Sequence, residues 1–173
     1  SLFLINAQTV STNALVSSNA WLFNVTTGQW SGPYTHKGSM EGTVAYDTKR
    51  KLVWFQPEQG RAGELTSFNT KTGAMTYYGW PYSYGLGNLD SIMGYDPLQD
   101  KLILTSFRGG GVIAERDLSN PSTAWKVIAQ KNTPSMHGQH AFAWSNLRQA
   151  WIVWDSYSGN SVYELKRGVN ASG

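Results

Sequence analysis

One pattern of residues occurs three times along this chain, each copy 49 residues after the previous one. Each copy is a short apolar run with an aromatic residue next to its end, and the three aromatic residues are Tyr46, Tyr95 and Trp144. A polar turn and a second apolar run follow each time, as residues 47–55 show for the first copy. Two such runs joined by a polar turn are typical of a β-hairpin. The chain must therefore build one hairpin-based unit repeatedly.

A period of about 40 to 50 residues made of short strand-like runs predicts a β-propeller, in which each repeat is a four-stranded blade. Full blades are predicted at residues 38–81 and 86–130, and partial blades at 1–34 and 136–167. Residues 1–173 therefore form a single all-β segment of about three and a half four-stranded blades.

The repeats also predict where individual strands and turns lie. Inner strands are expected near residues 42–47, 91–96 and 139–145, and the outermost strands near 74–79 and 124–129. Asp at the first position of the hairpin turns can accept hydrogen bonds from its own backbone, and Gly allows a positive φ.

The chain opens at the second strand of a blade and closes after the third strand of another. About three and a half blades are fewer than the smallest usual ring of about four, so the chain is expected to belong to a larger ring. Two explanations are open. Further blades lie on other residues of the same polypeptide, or several chains close a ring together.

The composition excludes several classes of protein. Lys and Arg exceed Asp and Glu by only three (14 against 11), and no basic run is long enough to predict a nucleic-acid partner. Cysteine is absent, which excludes disulfides and cysteine nucleophiles. No apolar run approaches the roughly 18 residues of a membrane-spanning helix, so no membrane span is predicted.

Two segments resemble the phrase of a kelch repeat, in which an aromatic residue and Asp or Asn open a turn and Trp follows. Phe23-Asn24 with Trp30 is one, and residues 68–75 repeat it with Met75 in the Trp position. The chain departs from kelch at the paired glycines that follow the second strand of a kelch blade. The resemblance implies a kelch-like β-propeller.

Polar residues precede the inner strands at one repeated position. Glu41, Asp90 and Gln139 share this position, and His140 follows the last of them. In a propeller these residues would surround the mouth of the central channel, where their oxygens could bind a polar ligand or Ca²⁺. The alternative is that they are polar only because water fills the channel.

No catalytic residue and no metal ligand is predicted. His137 and His140 are three positions apart, and in a regular strand they would point to opposite faces. The chain has no Gly-x-Ser-x-Gly motif.

The densest aromatic cluster follows the outermost strand of the first full blade. Trp80, Tyr82 and Tyr84 lie after Gly79 and beside Pro81, in a predicted loop. Rigid aromatic side chains in a loop can bind sugars or partner side chains. They can equally pack one blade against the next.

Two sequons, at Asn24 and Asn170, permit N-glycosylation and favour a secreted or cell-surface glycoprotein. The leading hypothesis for function is a non-enzymatic binding scaffold, located outside the cell, that engages protein or glycan through blade loops. The alternatives are a channel-centred hydrolase, lyase or oxidase, and a structural module of a large assembly.

Overall fold

The structure is a computed structural model that describes residues 2–8, 17–37, 42–57, 65–78, 91–106, 112–128, 140–155 and 161–166. These residues form fourteen β-strands. The strands are β1 Leu2–Gln8, β2 Ser17–Asn24, β3 Gln29–Lys37, β4 Gly42–Asp47, β5 Leu52–Pro57, β6 Thr66–Asn69, β7 Met75–Tyr77, β8 Ser91–Asp96, β9 Lys101–Ser106, β10 Val112–Asp117, β11 Lys126–Val127, β12 His140–Ser145, β13 Ala150–Asp155 and β14 Ser161–Leu165.

Four sheets follow one another in chain order. They are β1–β3, β4–β7, β8–β11 and β12–β14, and consecutive strands of each sheet pair antiparallel. Strand β8 lies beside both β4 and β12, and the backbone N–H of Met93 in β8 donates to the hydroxyl of Thr43 in β4. The sheets therefore succeed one another as blades do along an arc of a propeller, and the predicted all-β fold is confirmed.

The 49-residue period is the spacing of the inner strands. Strands β4, β8 and β12 end at residues 47, 96 and 145. The repeated aromatic residue pairs each time with the residue seven positions later on the neighbouring strand: Tyr46 with Val53, Tyr95 with Leu102, Trp144 with Trp151. Three sheets thus share one register.

The outermost strands are shorter than predicted. They span Met75–Tyr77 and Lys126–Val127 rather than residues 74–79 and 124–129. Before β11 the turn is long, and the N–H of Thr123 donates to the carbonyl of Asn120.

The turn after each inner strand starts with a side-chain oxygen that accepts backbone hydrogen bonds. Asp47 Oδ1 accepts from the N–H groups of Lys49 and Arg50, both at 2.9 Å. Asp96 Oδ1 accepts from the residues two and three positions later, at 2.9 and 3.1 Å. In the third repeat Ser145 Oγ accepts from the residue three positions later at 3.3 Å. This confirms the predicted role of Asp in these turns.

The same turns end in a residue with a left-handed backbone. The φ angles are 60° at Lys51, 57° at Asp100 and 49° at Gln149. None of the three is Gly, although this conformation costs an ordinary L-residue roughly 1–2 kcal/mol. The turn geometry therefore repeats with the 49-residue period even where the residue type does not favour it.

Each of the first three sheets packs one face against the next sheet in chain order. We call the face toward the next sheet the forward face and the opposite one the backward face. In the second sheet Trp54 and Leu65 lie on the forward face, and they pack against Leu104 on the backward face of the third sheet. Ile103 of the third sheet packs in the same way against Trp151 of the fourth. The core is therefore a series of layers between sheets rather than one central cluster.

Candidate functional site

Most of the residues predicted to bind ligand lie outside the described residues, so their roles stay predictions. His140 is the first residue of β12, and its side chain is outside the described part as well. The other predicted ligand-binding residues outside the described part are Glu41, Asp90, Gln139, Trp80, Tyr82 and Tyr84. The predicted glycosylation site Asn170 lies outside it too.

Asn24 lies in the turn between β2 and β3, where its side chain has a structural role. Its Oδ1 accepts from the N–H groups of Thr26 and Thr27 at 3.0 and 3.3 Å. Asn69 does the same in the second sheet, at 2.9 and 3.1 Å, and it is not part of a sequon. Turn geometry alone therefore accounts for Asn at both positions.

The forward faces of three sheets carry the same kind of residues at equivalent positions. Each has a small residue on the inner strand, a large apolar residue directly opposite it on the second strand, and an aliphatic residue on the third strand. The three sets are Ala45–Trp54–Leu65, Gly94–Ile103–Ile113 and Ala143–Ile152–Val162.

Within the part of the chain that the structure describes, a neighbouring sheet covers the first two sets and not the third. Leu65 and Ile113 are 0% and 5% exposed, whereas Val162 at the equivalent position is 65% exposed. Trp154 lies on the same face of the fourth sheet, opposite Ala141 and Val162, and it is 45% exposed. We call Ala141, Ala143, Ile152, Trp154 and Val162 the open forward face. Contiguous exposed apolar residues of this kind mark interaction sites.

An uncovered apolar surface also exists at the other end of the arc. Trp30 on the backward face of the first sheet is 52% exposed, and its ring lies 4.8 Å from that of Phe23. Val44 and Tyr46 on the inner strand of the second sheet are also exposed, with Val44 at 59%. We call Phe23 and Trp30 the open backward face; Val44 and Tyr46 lie instead on the face of the second sheet that looks toward the first sheet.

The reason for the exposure of Val44 and Tyr46 is visible in the topology. Their equivalents in the third sheet, Met93 and Tyr95, are buried against the second sheet. Among the described residues the first sheet consists of β1, β2 and β3, in the positions of the second to fourth strands of a blade. No inner strand of that sheet among the described residues covers Val44 and Tyr46.

Ionic side chains join the second and third sheets at their inner turns. Arg50 Nη1 donates to Asp47 Oδ2 at 2.8 Å, and its two terminal nitrogens donate to the two carboxylate oxygens of Asp100 at 2.6 and 2.7 Å. Lys49 Nζ also lies 2.6 Å from Asp100, and the hydroxyl of Tyr95 donates to it at 3.1 Å. The carboxylate of Asp100 is thus a bidentate partner for a guanidinium of the neighbouring sheet.

These contacts shift the pKa values of the cluster in the directions expected for paired charges. The hydrogen bond from Arg50 holds the pKa of Asp100 well below its usual range, and the same bond raises the pKa of Arg50. Burial, with the nearby charge of Asp47, raises the pKa of Tyr95 to about 12. All three groups keep one protonation state near neutral pH, so the cluster is a structural link between sheets rather than an acid–base pair.

Arg116 is a buried cation in the same inter-sheet layer. It is 1% exposed, its guanidinium lies 5.8 Å from the ring of Trp125, and one nitrogen donates to the carbonyl of Pro121. Its Nε and Nη1 have no hydrogen-bond partner. Burial therefore lowers the pKa of Arg116 to about 10, as expected when a charge leaves water.

Within the described ranges, no three His, Asp or Glu side chains are grouped closely enough to hold a metal ion. The described part of the chain also contains no helix with the length and apolar character needed to cross a membrane.

Sequence reasoning missed the open forward face, although a signal for it was present. Trp154 occupies the position that Gln56 and Thr105 hold in the two preceding repeats, and both of these are buried. Trp154 is large and apolar, whereas the two other repeats bury a polar residue at this position. The difference indicates that this surface of the fourth sheet meets a different kind of neighbour.

Comparison with known proteins identifies the fold and no family. No protein-family model matches the chain, and no curated protein matches it. A crystal structure of TolB from Acinetobacter baumannii matches with a TM-score of 0.55 and 17% sequence identity, over 87% of this chain and 37% of that one. The chain thus spans 37% of the length of a β-propeller protein that it resembles. The likeness shows the propeller fold and does not single out the kelch repeat.

Proposed function

We propose that this chain is a non-enzymatic interaction scaffold that binds a protein partner. The open forward face is the observation that supports this function most directly. Trp154 and Val162 are 45% and 65% exposed, and burying a side chain of this size is worth about 1.5–3 kcal/mol. Because both side chains are already partly buried, a partner that covers this face gains the part of that free energy that corresponds to their exposed fractions.

The backbone beneath the open forward face is well suited to binding. Strands β12, β13 and β14 pair over their lengths, so the exposed side chains project from a hydrogen-bonded sheet. Little backbone conformational entropy is lost when such a sheet is covered, which favours affinity. Trp is also the residue type most enriched among energetically dominant interface residues.

Photo-crosslinking tests the proposal. The photoreactive residue p-benzoylphenylalanine is placed at Val162, on the open forward face, or at the control position Val127, which is 55% exposed on β11 of the third sheet. The variants are irradiated in an extract of the cells that produce the chain. A protein adduct at Val162 that is absent at Val127 supports the scaffold function. Equal adducts at both positions, or none at Val162, contradict it.

The proposal includes a location outside the cell, a glycan as a second class of partner, and kelch-like repeats. The two sequons support the location. The kelch-like phrase is supported by its pairing, since Phe23 lies opposite Trp30 and Phe68 opposite Met75 in the register of their hairpins.

Glycosylation is tested by mass spectrometry of the chain secreted from a eukaryotic cell. Asn24→Gln should remove one glycan mass, and the matched Asn69→Gln should remove none, because both Asn residues accept the same turn hydrogen bonds and only Asn24 begins a sequon. Equal masses for both variants would contradict the extracellular glycoprotein.

A further inference from the structure

We propose that the turns after the inner strands form a surface that binds an anionic lipid membrane. These turns are residues 47–51, 96–100 and 145–149, each between an inner strand and the strand that follows it. We call the three turns together the turn surface. It is distinct from the open forward face, and a role in membrane binding goes beyond the proposed function.

Two exposed leucines hold equivalent positions on the turn surface. Leu98 and Leu147 are 49 residues apart, and they are 62% and 95% exposed. Lys49 holds the same position in the first turn, and the N–H groups of Lys49 and Leu98 both donate to the Oδ1 atom of the Asp that begins the turn. The backbone and the Asp make these hydrogen bonds, so the turn does not require a leucine at this position.

The exposure of Leu98 does not depend on which sheets flank its own. The third sheet packs against the second sheet on one face and against the fourth on the other. Strand β8, which leads into the turn of Leu98, likewise lies beside both β4 and β12. Leu98 is thus exposed although its sheet has a neighbour on each side, and its exposure is a property of the turn surface itself.

Neighbouring turns lie within reach of a single side chain. Lys49 Nζ is 2.6 Å from Asp100 Oδ2, so the third residue of one turn contacts the last residue of the next. Strand β12 lies beside β8 as β8 lies beside β4, and all three strands end at the same position of the repeat. Leu98 and Leu147 therefore belong to adjacent turns at the same end of the sheets.

The well-exposed charges of the turn surface are cations. The side chains of Lys49 and Arg148 are 63% and 62% exposed. The carboxylates are buried or already paired, because Asp47 and Asp96 are 0% and 1% exposed and Asp100 accepts hydrogen bonds from two basic side chains of the neighbouring turn. A surface with this arrangement attracts anionic groups.

A further cation lies beside the third turn. Glu164 Oε2 is 3.5 Å from both Arg148 and Lys166, so two basic side chains share one carboxylate. The side chain of Lys166 is 66% exposed, and Lys51 at the end of the first turn is exposed as well. Basic residues therefore flank the two leucines on the sides of the first and the fourth sheets.

A lipid surface fits these residues better than a protein partner does. Leucine is under-represented among the residues that dominate protein interfaces, where Trp, Tyr and Arg prevail. Apolar side chains at the ends of turns can enter the boundary between headgroups and acyl chains, while nearby Lys and Arg attract anionic headgroups. The long stems of Lys and Arg let their charges stay at the headgroups. Two leucines and a few cations predict weak, reversible binding.

Cosedimentation with sucrose-loaded vesicles tests the proposal. The anionic probe is phosphatidylcholine with about 30% phosphatidylserine, and the neutral probe is phosphatidylcholine alone. The chain should bind the anionic vesicles at least about fivefold more strongly than the neutral ones. Raising the salt concentration should weaken that binding, because salt screens the attraction between exposed charges and headgroups.

Matched substitutions show whether the turn surface makes the contact. Leu98→Ser and Leu147→Ser should each weaken binding to the anionic vesicles at least about threefold, because each removes apolar area that enters the bilayer. The control Val127→Ser should have no effect, since Val127 is 55% exposed on β11 and lies outside the three turns. Arg148→Gln should weaken binding, whereas Lys126→Gln on β11 should not. Far-UV circular dichroism checks that each variant is folded.

An environment-sensitive fluorophore locates the surface that meets the bilayer. The chain has no cysteine, so a chain with Asn146→Cys or Val127→Cys carries a single nitrobenzoxadiazole label. Anionic vesicles should shift the emission of the label at position 146 to shorter wavelength, because the fluorophore leaves water. They should leave the emission of the label at position 127 unchanged.

Three results would overturn the proposal. They are a chain that does not bind the anionic vesicles, binding that neither leucine substitution weakens, and an emission shift at position 127 instead of 146. A chain that ignores vesicles and forms a protein adduct through p-benzoylphenylalanine at Leu147 would also reject the lipid surface, in favour of a protein partner. Adduct formation at Val162 tests the scaffold function separately.

Discussion

Replacing Gly94 with Ala perturbs the contact between the third and fourth sheets at one atom. Gly94 lies on β8, and its backbone has no positive φ, so an L-residue is compatible with its conformation. The added Cβ would lie 2.3 Å from two ring atoms of Trp151 and 3.1 Å from Phe142. Those two rings are stacked at 4.2 Å with an interplanar angle of 7°, so the added carbon would press on a ring that is already packed against another.

The expected cost follows from overpacking. Forcing an extra carbon into a packed layer typically costs about 1–3 kcal/mol of stability. Because the added carbon would contact two atoms of a stacked ring, we expect the cost of Gly94→Ala to lie toward the upper end of this range. Replacing Gly restricts the unfolded chain and returns about 0.4–1 kcal/mol. The free energy of unfolding should therefore fall by about 2 kcal/mol, which lowers the melting temperature of a chain of this size by about 4–8 °C.

Urea unfolding followed by far-UV circular dichroism measures this change, at a protein concentration low enough to avoid association. The matched control is Ala143→Val, which adds carbon atoms at the equivalent position of the fourth sheet, where the face is exposed. It should change the free energy of unfolding by no more than about 0.5 kcal/mol.

An unchanged urea midpoint for Gly94→Ala, or an equal loss of stability for Ala143→Val, would show that the added carbon does not overpack the layer between the third and fourth sheets. A double-mutant cycle with Trp151→Val gives a further check. Since both substitutions act on one contact, the cost of Gly94→Ala should shrink by at least about 1 kcal/mol when the indole is absent. If the free-energy changes of the two substitutions simply add, Gly94→Ala does not act through contact with Trp151.

Three further predictions concern the turns and the buried charge. Asp100→Asn should flatten the loss of stability between about pH 4 and pH 2, measured by urea unfolding across that range. Arg50 lowers the pKa of Asp100 in the folded chain. The stabilisation that Asp100 gives the folded chain is therefore present above the pKa of Asp in the unfolded chain, about 3.9, and is lost as the pH falls through the lower pKa of the folded chain. A pH profile of stability that Asp100→Asn leaves unchanged would contradict this. Lys51→Gly should raise the free energy of unfolding by about 0.5–1 kcal/mol, because it relieves a left-handed backbone at φ 60°, whereas Thr48→Gly in the same turn should lower it. Arg116→Met should cost less than about 1 kcal/mol or increase stability, since it removes a buried cation with two unpaired nitrogens; a loss above 3 kcal/mol in thermal unfolding would indicate a counter-charge.

The sequence was sufficient for the elements that repeat. The inner strands and their turns were predicted within a residue or two because Tyr46 and Tyr95 each precede an Asp whose side chain closes the turn. Local chemistry and hydrophobic pattern agree at these positions, which is the condition under which sequence reasoning succeeds.

Contacts between sheets were less predictable. The pair of Arg50 and Asp100 joins residues 50 positions apart, and the third repeat has Gln149 where Asp100 stands, so the period gives no signal for it. The open faces depend on which neighbouring sheet is present, and a periodic pattern does not contain that information.

The central claim is that the 49-residue steps place equivalent positions along one arc. Distances between pairs of spin labels, measured by electron paramagnetic resonance, test it directly, and the absence of cysteine means that only the introduced ones are labelled. Labels replace the exposed turn residues Thr48, Pro97 and Asn146, two at a time. The account predicts equal distances for 48 to 97 and 97 to 146, and a 48-to-146 distance longer than either but clearly shorter than their sum. Unequal steps, or a 48-to-146 distance equal to the sum, would contradict it.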